Sequence, residues 1–167
     1  HPQARTIIHI GGQDSKVICL DEAGAVSGFI MNDKCAAGTG RFLEMMARTL
    51  ELDLPEMSRR GLERKQDLTI SSMCTVFAES EVISLIADNH SASDIIHGLC
   101  KSIAARTAAM VKRAGGHPPY MMTGGVARNL GVVRALEQQL GAPIFLPREP
   151  DLCGALGAAL LALEELG

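Results

Sequence analysis

Residues 6–16 read TIIHIGGQDSK, and this stretch decides how the chain begins to fold. Its first five residues form a largely apolar and mostly β-branched run, which is typical of a buried strand. The glycine pair Gly11-Gly12 then indicates a tight turn. Apolar runs at residues 17–20 and 26–31 predict two further strands, separated by a second turn. The sequence therefore predicts an antiparallel meander of three strands whose first turn is rich in glycine.

Beyond the meander, the pattern predicts alternating helices and strands. Residues 51–70 are charged and contain Pro55, so we expect them to be irregular, with a short strand or extended segment at 68–70. The predicted helices end near Leu50, Ala87, Gly115, Leu140 and Leu166, and the third begins at a cap formed by residues 91–94. Strands are predicted at 119–123 and 143–146, and the helix between them is expected from about Ala127. The fold class is therefore α/β.

Composition excludes several classes of function. The chain has 167 residues, 47% of them hydrophobic, and a net charge of −3, which fits one soluble domain. It has no basic, aromatic-rich face, so we expect no nucleic-acid partner. No apolar run reaches the ~20 residues of a membrane span, and we expect no secretion signal. Five cysteines without a secreted-protein spacing favour a cytoplasmic protein with reduced thiols or metal ligands.

Two cysteines precede predicted helices. Cys35 is followed by the small residues Gly38 and Gly40, whose backbone N–H groups are expected to be free, and Cys74 follows two capping serines. A helix N-terminus lowers a thiol pKa and favours a bound anion. Two such cysteines could ligate a soft metal centre, and a two-fold dimer would supply the four that an iron–sulfur cluster usually takes. The alternative is that both are structural, which is the interpretation for the remaining cysteines, Cys19, Cys100 and Cys153.

Two glycine pairs are candidate nucleotide-binding elements. Gly11-Gly12 lies between strands, where backbone N–H groups can approach an anion, and Lys16 could add positive charge. Gly124-Gly125 lies between a strand and a helix, which suits the flat or anionic part of a nucleotide. Taken alone, Gly11-Gly12 is better explained by an ordinary β-hairpin, and Gly124-Gly125 by plain strand–helix packing. The sequence has no Walker A motif and no GxGxxG motif, so the common nucleotide-binding folds are excluded.

The two glycine segments, residues 8–16 and 122–129, resemble the second phosphate-binding segment and the adenosine segment of the acetate kinase, sugar kinase and actin superfamily. Within it, residues 32–44 and 71–86 resemble the ATP-dependent activators of 2-hydroxyacyl-CoA dehydratases, to which benzoyl-CoA reductase ATPase subunits are related. The resemblance covers nearly the whole chain. It implies an RNase H-like domain of the actin-like ATPases.

The resemblance also implies a domain organisation. Residues 1–167 would be the C-terminal RNase H-like half of such an ATPase, with the N-terminal half missing. Residues 32–93 would be a helical insertion that carries the cysteines.

The same resemblance implies an activity. Two subunits of a homodimer would share one 4Fe–4S cluster, with Cys35 and Cys74 of each subunit as ligands, and would bind ATP or ADP with Mg²⁺. Reduced ferredoxin or flavodoxin would supply an electron, passed on with ATP hydrolysis to a 2-hydroxyacyl-CoA dehydratase or related CoA-ester reductase. The residues implied at the phosphates are Gly11, Gly12, Gln13, Asp14 and Lys16, with Gln13 and Asp14 as catalytic candidates, and those implied at the adenosine are Gly124, Gly125 and Asn129.

His9 departs from this pattern, because the superfamily usually has an acidic residue before the glycines. A neutral imidazole cannot supply the same anionic oxygen, so we expect His9 to slow ATP hydrolysis more than it weakens nucleotide binding. Two alternatives therefore stay open. One is a sugar or acyl kinase-like phosphotransferase domain without a cluster, and the other is an inactive dimerisation fragment.

Overall fold

The computed structural model describes residues 2–72 and 74–166. These residues form a mixed sheet of five strands in the order β3-β2-β1-β4-β5. The first three strands pair antiparallel, whereas β4 pairs parallel with β1 and with β5. The predicted three-stranded meander is confirmed. The strand bounds are β1 Thr6–Ile10, β2 Ser15–Leu20, β3 Val26–Asn32, β4 Tyr120–Thr123 and β5 Ile144–Phe145.

Strand β1 lies at the centre of the sheet and places the first glycine turn. Ile8 and Ile10 are fully buried on one face, and they alternate with the half-buried Ile7 and His9 on the other. The parallel register aligns His9 with Thr123 of β4. Because parallel strands end at the same edge of a sheet, the turn after β1 lies beside the glycine pair after β4.

Six α-helices accompany the sheet within the described residues. Helix α4 is the longest. It begins where Ser91 Oγ accepts the Asp94 N–H at 3.2 Å, and it ends at Gly115 in the left-handed conformation, with φ +73°. It packs on α5, and the two contribute to the buried core. The helix bounds are α1 Gly40–Thr49, α2 Leu54–Arg60, α3 Thr75–Ala87, α4 Ala92–Ala114, α5 Leu130–Leu140 and α6 Cys153–Leu166.

The expectation that residues 51–70 are irregular is wrong, because α2 lies within them. Asp53 caps this helix by accepting the Glu56 N–H at 2.7 Å, and Pro55 occupies its first turn. Glu56 forms ion pairs with Arg59 and Arg60 along the exposed side of the helix. The charged residues that suggested a solvated loop therefore support a short helix.

One further boundary differs from the prediction. Residues 68–70, where the prediction left a strand or an extended segment open, form no strand. After β4, residues 125–128 form a 3₁₀ turn rather than the start of a helix, and α5 begins only at Leu130. The delay has a local cause: Asn129 has extended backbone and caps α5 by accepting the Val132 N–H at 3.1 Å.

The last helix, α6, has none of its described residues buried. Five of its leucines are exposed, the most exposed being Leu166 at 84% and Leu163 at 65%. Among the described residues, no helix combines the length and apolar character needed to cross a membrane.

Candidate functional site

The two glycine pairs meet at one edge of the sheet. Gly124 has φ +87°, and a Cβ atom on it would lie 2.2 Å from the carbonyl oxygen of Ile10. Only glycine permits this contact, because any side chain would collide with the backbone of β1. The parallel pairing of β1 with β4 thus holds the two glycine segments side by side, as the nucleotide interpretation requires.

A cavity of about 490 Å³ opens beside these glycines. Gly11 and Gly12 line it, and so do Gly125, Val126 and Asn129. Its volume lies within the usual range for small-molecule sites. The structure therefore brings four of the predicted nucleotide-site residues to one cavity. A fifth, Gly124, directly precedes the lining residue Gly125 in the sequence.

Helix α1 is bonded to the glycine turn. The N–H groups of Gly40 and Arg41 donate to the carbonyl oxygens of Gly11 and Gly12, both at 2.8 Å. The expectation that the Gly40 N–H is free is therefore wrong, because a carbonyl from a distant turn occupies it. A Cβ atom on Gly40 would lie 3.1 Å from the Gly12 Cα, so this glycine permits the close approach of helix and turn.

Helix α2 supplies a wall of the cavity that the sequence analysis missed. Leu54, Pro55 and Ser58 line the cavity, together with Leu130 at the start of α5. Ser58 Oγ accepts the Leu130 N–H at 2.9 Å and joins the two helices. The signal for α2 was present in the sequence, since Asp53 followed by a proline and a glutamate is a typical helix start.

Asn129 is 94% buried and lines the same cavity. Only one of the two polar atoms of its side chain has a hydrogen-bond partner among the described residues. Its Oδ1 caps α5, which also fixes the other amide atom as the nitrogen. That nitrogen, Nδ2, has no hydrogen-bond partner among the described residues. A buried donor without a partner is uncommon in folded proteins and calls for an acceptor from a ligand or from water.

The charged residues of the turn are arranged around Gly11. Lys16 Nζ lies 2.6 Å from Asp14 Oδ2, and both side chains are half-buried. A Cβ atom on Gly11 would lie 3.1 Å from Asp14 Oδ1 and 3.3 Å from His9 Nε2, so both groups face the same point of the turn. Gln13 is exposed at the tip.

His9 is held in one orientation by its other ring nitrogen. Its Nδ1 lies 3.0 Å from Thr123 Oγ1 on the neighbouring strand. Burial lowers the pKa of His9 below its usual value, the charge of Lys16 lowers this pKa further, and Asp14 partly opposes the change. The imidazole is therefore neutral at pH 7, and it is not the anionic group that the superfamily pattern has at this position.

Cys35 and Cys74 lie in neighbouring segments near the protein surface. Cys35 is half-buried in the loop before α1, and Cys74 is exposed at the N-cap of α3. Gly38 and Ser72, each within three residues of one cysteine, line the same small void. Thr49 Oγ1 of α1 donates to Glu79 of α3 at 3.3 Å, which joins the helices that follow the two cysteines.

The remaining cysteines differ in burial. Cys19 and Cys100 are buried, as expected for core residues, and burial raises the pKa of Cys100 to about 12. Cys153 is half-buried at the start of α6. Within residues 2–72 and 74–166, no three His, Cys, Asp or Glu side chains converge on a metal-sized site. The part of the chain that the structure describes therefore offers Cys35 and Cys74 in neighbouring segments, both at least partly exposed, but no complete set of metal ligands.

Comparison with known proteins agrees with this geometry. Residues 1–162 match the sequence model of the BadF/BadG/BcrA/BcrD ATPase family. The chain is 51% identical over 164 residues to the 2-hydroxyisocaproyl-CoA dehydratase activator of Clostridioides difficile, covering 98% of this chain and 62% of the relative. It is 52% identical over 163 residues to the activator of lactoyl-CoA dehydratase of Anaerotignum propionicum, covering 98% and 63%.

A solved structure gives the same result for the fold. The Clostridium difficile activator of 2-hydroxyisocaproyl-CoA dehydratase with bound ADPNP superimposes with a TM-score of 0.95 at 50% identity, covering 99% of this chain and 62% of that one. The predicted fold class, an RNase H-like domain of the actin-like ATPases, is confirmed. The chain spans a little under two thirds of the length of these relatives.

Proposed function

Because this chain belongs to the BadF/BadG/BcrA/BcrD ATPase family, we propose that it is the nucleotide-binding and cysteine-bearing part of an ATP-dependent activator. Its partner would be a 2-hydroxyacyl-CoA dehydratase or a related CoA-ester reductase. The observation that carries the proposal is the glycine-lined cavity with the unpaired Asn129 amide in its wall. A kinase-like phosphotransferase is disfavoured, because the family and the relatives at about 50% identity are ATPases and activators.

In this proposal the phosphates of ATP, with Mg²⁺, lie at the turn and the adenosine lies in the apolar part of the cavity. Gly12 is exposed and carries no side chain, so an anion can approach its backbone closely, and Lys16 supplies a positive charge. Leu54, Pro55 and Leu130 offer an apolar surface to a base, and Asn129 Nδ2 offers a donor. In the hydrolysis step, water adds to the γ-phosphorus and the bond to the β-phosphate oxygen breaks, giving ADP and phosphate. Gln13 and Asp14 are the candidates for orienting that water.

We also propose that Cys35 and Cys74 hold an iron–sulfur cluster together with the same residues of a second copy. The donors fit, because both thiols are accessible from the surface and their segments are neighbours. Thiolates are the usual ligands of such clusters, and a two-fold axis would supply four. When bound, the cluster would supply one-electron chemistry, with a ferredoxin or flavodoxin as the donor.

The surface around Cys74 supports a dimer. Val76 and Phe77 lie in the first turn of α3, after Thr75, and are 63% and 66% exposed, and Ile83 and Ile86 on the same helix are 54% and 43% exposed. A cluster of exposed apolar side chains of this kind marks a protein–protein interface. We place the homodimer interface here, so that the cysteines of both copies approach each other.

The test is purification without oxygen, followed by iron and sulfide assays and by gel filtration. Cys35→Ser and Cys74→Ser should each remove the iron and weaken the dimer. Cys153→Ser is the matched control, because this thiol is half-buried and lies outside both candidate sites. Full iron content in either of the first two variants would refute the ligand assignment.

Nucleotide binding is tested separately from the cluster. Thermal unfolding with and without ADP and Mg²⁺ should show a higher unfolding temperature with nucleotide, since a ligand that binds only the folded chain stabilises it. A chain that holds iron but binds no nucleotide would contradict the proposal of an ATP-dependent activator. A chain that binds nucleotide but no iron, even when handled without oxygen, would favour the phosphotransferase.

A further inference from the structure

Arg106 of α4 lies between the two cysteine-bearing segments. It lines the small void together with Gly38 and Ser72, and a Cβ atom on Gly38 would lie 3.4 Å from Arg106 Cδ. On its other side, Arg106 borders a cleft of about 350 Å³ with Asn32. Asn32 Nδ2 donates to the carbonyl oxygen of Cys35 at 3.0 Å. Arg106 is therefore adjacent to the chain on both sides of Cys35 and to the segment that leads into Cys74.

Arg106 is half-buried. None of the described residues forms a hydrogen bond or an ion pair with it. Lys101, five residues earlier on the same helix, is paired with Asp67 at 2.8 Å. A half-buried charge without a partner is unfavourable, so its position calls for an anion that the isolated chain lacks.

We propose that Arg106 offsets the negative charge that Cys35 and Cys74 bring together when they hold a metal cluster, and that it raises the reduction potential of that site. The inference rests on the proposed function. The inference adds to the proposed cluster site a residue that is not a cysteine and that is not part of the proposed nucleotide site. Arg106 is thus a positioning and electrostatic residue, not a ligand.

The sign of the effect follows from charge. Reduction adds an electron to a site that is already negative through its thiolates, and a nearby cation stabilises the reduced form more than the oxidised form. Net charge, hydrogen bonding to sulfur and solvent exposure are the factors that set the potentials of such centres. The other charged residues next to Cys35, Asp33 and Lys34, are exposed and opposite in sign. Arg113, which borders the same cleft, is also exposed and therefore more strongly screened by water.

The experiment compares the chain, handled without oxygen, with three variants. Arg106→Met keeps the length of the side chain but removes its charge, and Arg106→Lys keeps the charge. Lys112→Met removes a charge from an exposed position of the same helix and serves as the control. Three quantities are measured: iron and sulfide content, the midpoint potential from a redox titration followed near 400 nm, and the unfolding temperature of the iron-free chain.

Arg106→Met should shift the midpoint potential to a more negative value, Arg106→Lys should restore most of the shift, and Lys112→Met should leave it unchanged. The iron-free Arg106→Met chain should unfold at the same or a higher temperature, because the variant removes an unpaired charge. An unchanged potential, or a fall of several degrees in unfolding temperature, would overturn the inference in favour of a structural role. Absence of iron from the parent chain itself would instead overturn the proposed function, and this inference with it.

Discussion

Asn129→Ser separates the structural role of Asn129 from its proposed role in binding nucleotide. In the free chain, Asn129 Oδ1 caps α5 and Nδ2 is buried without a partner. Serine caps helices about as well as asparagine, so the hydrogen bond to the Val132 N–H is retained. The unpaired donor, however, is removed.

The magnitudes for the free chain nearly cancel. Removing an unsatisfied buried donor recovers about 1–3 kcal/mol of desolvation cost. The smaller side chain leaves a void, and lost packing offsets part of that gain. We therefore expect the free energy of unfolding of Asn129→Ser to stay within about 1 kcal/mol of the parent value, or to rise. Asn129→Ala also loses the cap and should cost a further 0.5–2 kcal/mol, roughly.

Nucleotide binding should change in the opposite direction. If Nδ2 donates to the nucleotide, its loss removes one neutral hydrogen bond, worth about 0.5–1.5 kcal/mol. Because 1.4 kcal/mol corresponds to roughly a factor of ten in affinity, the Kd for ADP should rise about twofold to tenfold. Denaturant unfolding of the free chain and calorimetric titration with ADP and Mg²⁺ measure the two effects independently.

The control variant is Ser91→Ala, which removes the cap of α4 far from the cavity. It should lower stability by about 1 kcal/mol without changing the Kd for ADP. An Asn129→Ser chain that binds ADP as tightly as the parent would refute the assignment of Nδ2 to the nucleotide. Equal losses of stability and affinity would show that the residue acts only through the fold.

Substitutions at three further positions test other parts of the site and of the fold. Gly40→Ala should weaken ADP binding, because its methyl group would lie 3.1 Å from the Gly12 Cα and displace the turn. An unchanged Kd in calorimetric titration would show that α1 and the turn can move apart without a loss of binding free energy. His9→Asp should raise the rate of phosphate release from ATP and His9→Asn should not, so equal rates would exclude a role in hydrolysis. Hydrogen bonds lower the pKa of the buried Asp94, and the largest contribution comes from the Gln66 N–H. The ionised carboxylate therefore stabilises the fold fully above about pH 4, and this stabilisation is lost as the pH falls through the lowered pKa. Asp94→Asn should therefore reduce stability at pH 7 by about 1.5–3 kcal/mol and weaken its acid dependence in pH-resolved unfolding, whereas an unchanged acid transition would count against this.

The parts of the fold that follow from local sequence were predictable. A run rich in β-branched residues marks β1 at residues 6–10, and a capping serine and a terminal glycine mark α4 at Ser91 and Gly115. Each of these signals acts over a few residues. The meander and the long helix were therefore predicted correctly from their own residues.

The parts that depend on distant partners were harder to predict. Nothing local to Gly124 indicates that it packs against the carbonyl of Ile10, more than 100 residues earlier, and only the resemblance placed both segments at one nucleotide. The N–H of Gly40 was expected to be free, because an isolated helix start leaves it so. Its partner is the Gly11 carbonyl, which only the folded chain brings within 2.8 Å. Helix α2 was missed for a different reason, since its short, charged sequence outweighed a recognisable cap at Asp53.

The bonds between α1 and the glycine turn also bear on how nucleotide could act on the cysteines. A movement of the turn must either break the hydrogen bonds from Gly40 and Arg41 or carry the start of α1 with it. Breaking both would leave polar groups unpaired at a cost of about 1–3 kcal/mol each, so joint movement is favoured. The loop that contains Cys35 runs from Asn32, which is paired with Ser15 in the sheet, to Gly40. One end of that loop is therefore fixed to the sheet and the other is fixed to the turn, so a displacement of the turn relative to the sheet changes the conformation of the segment that holds Cys35.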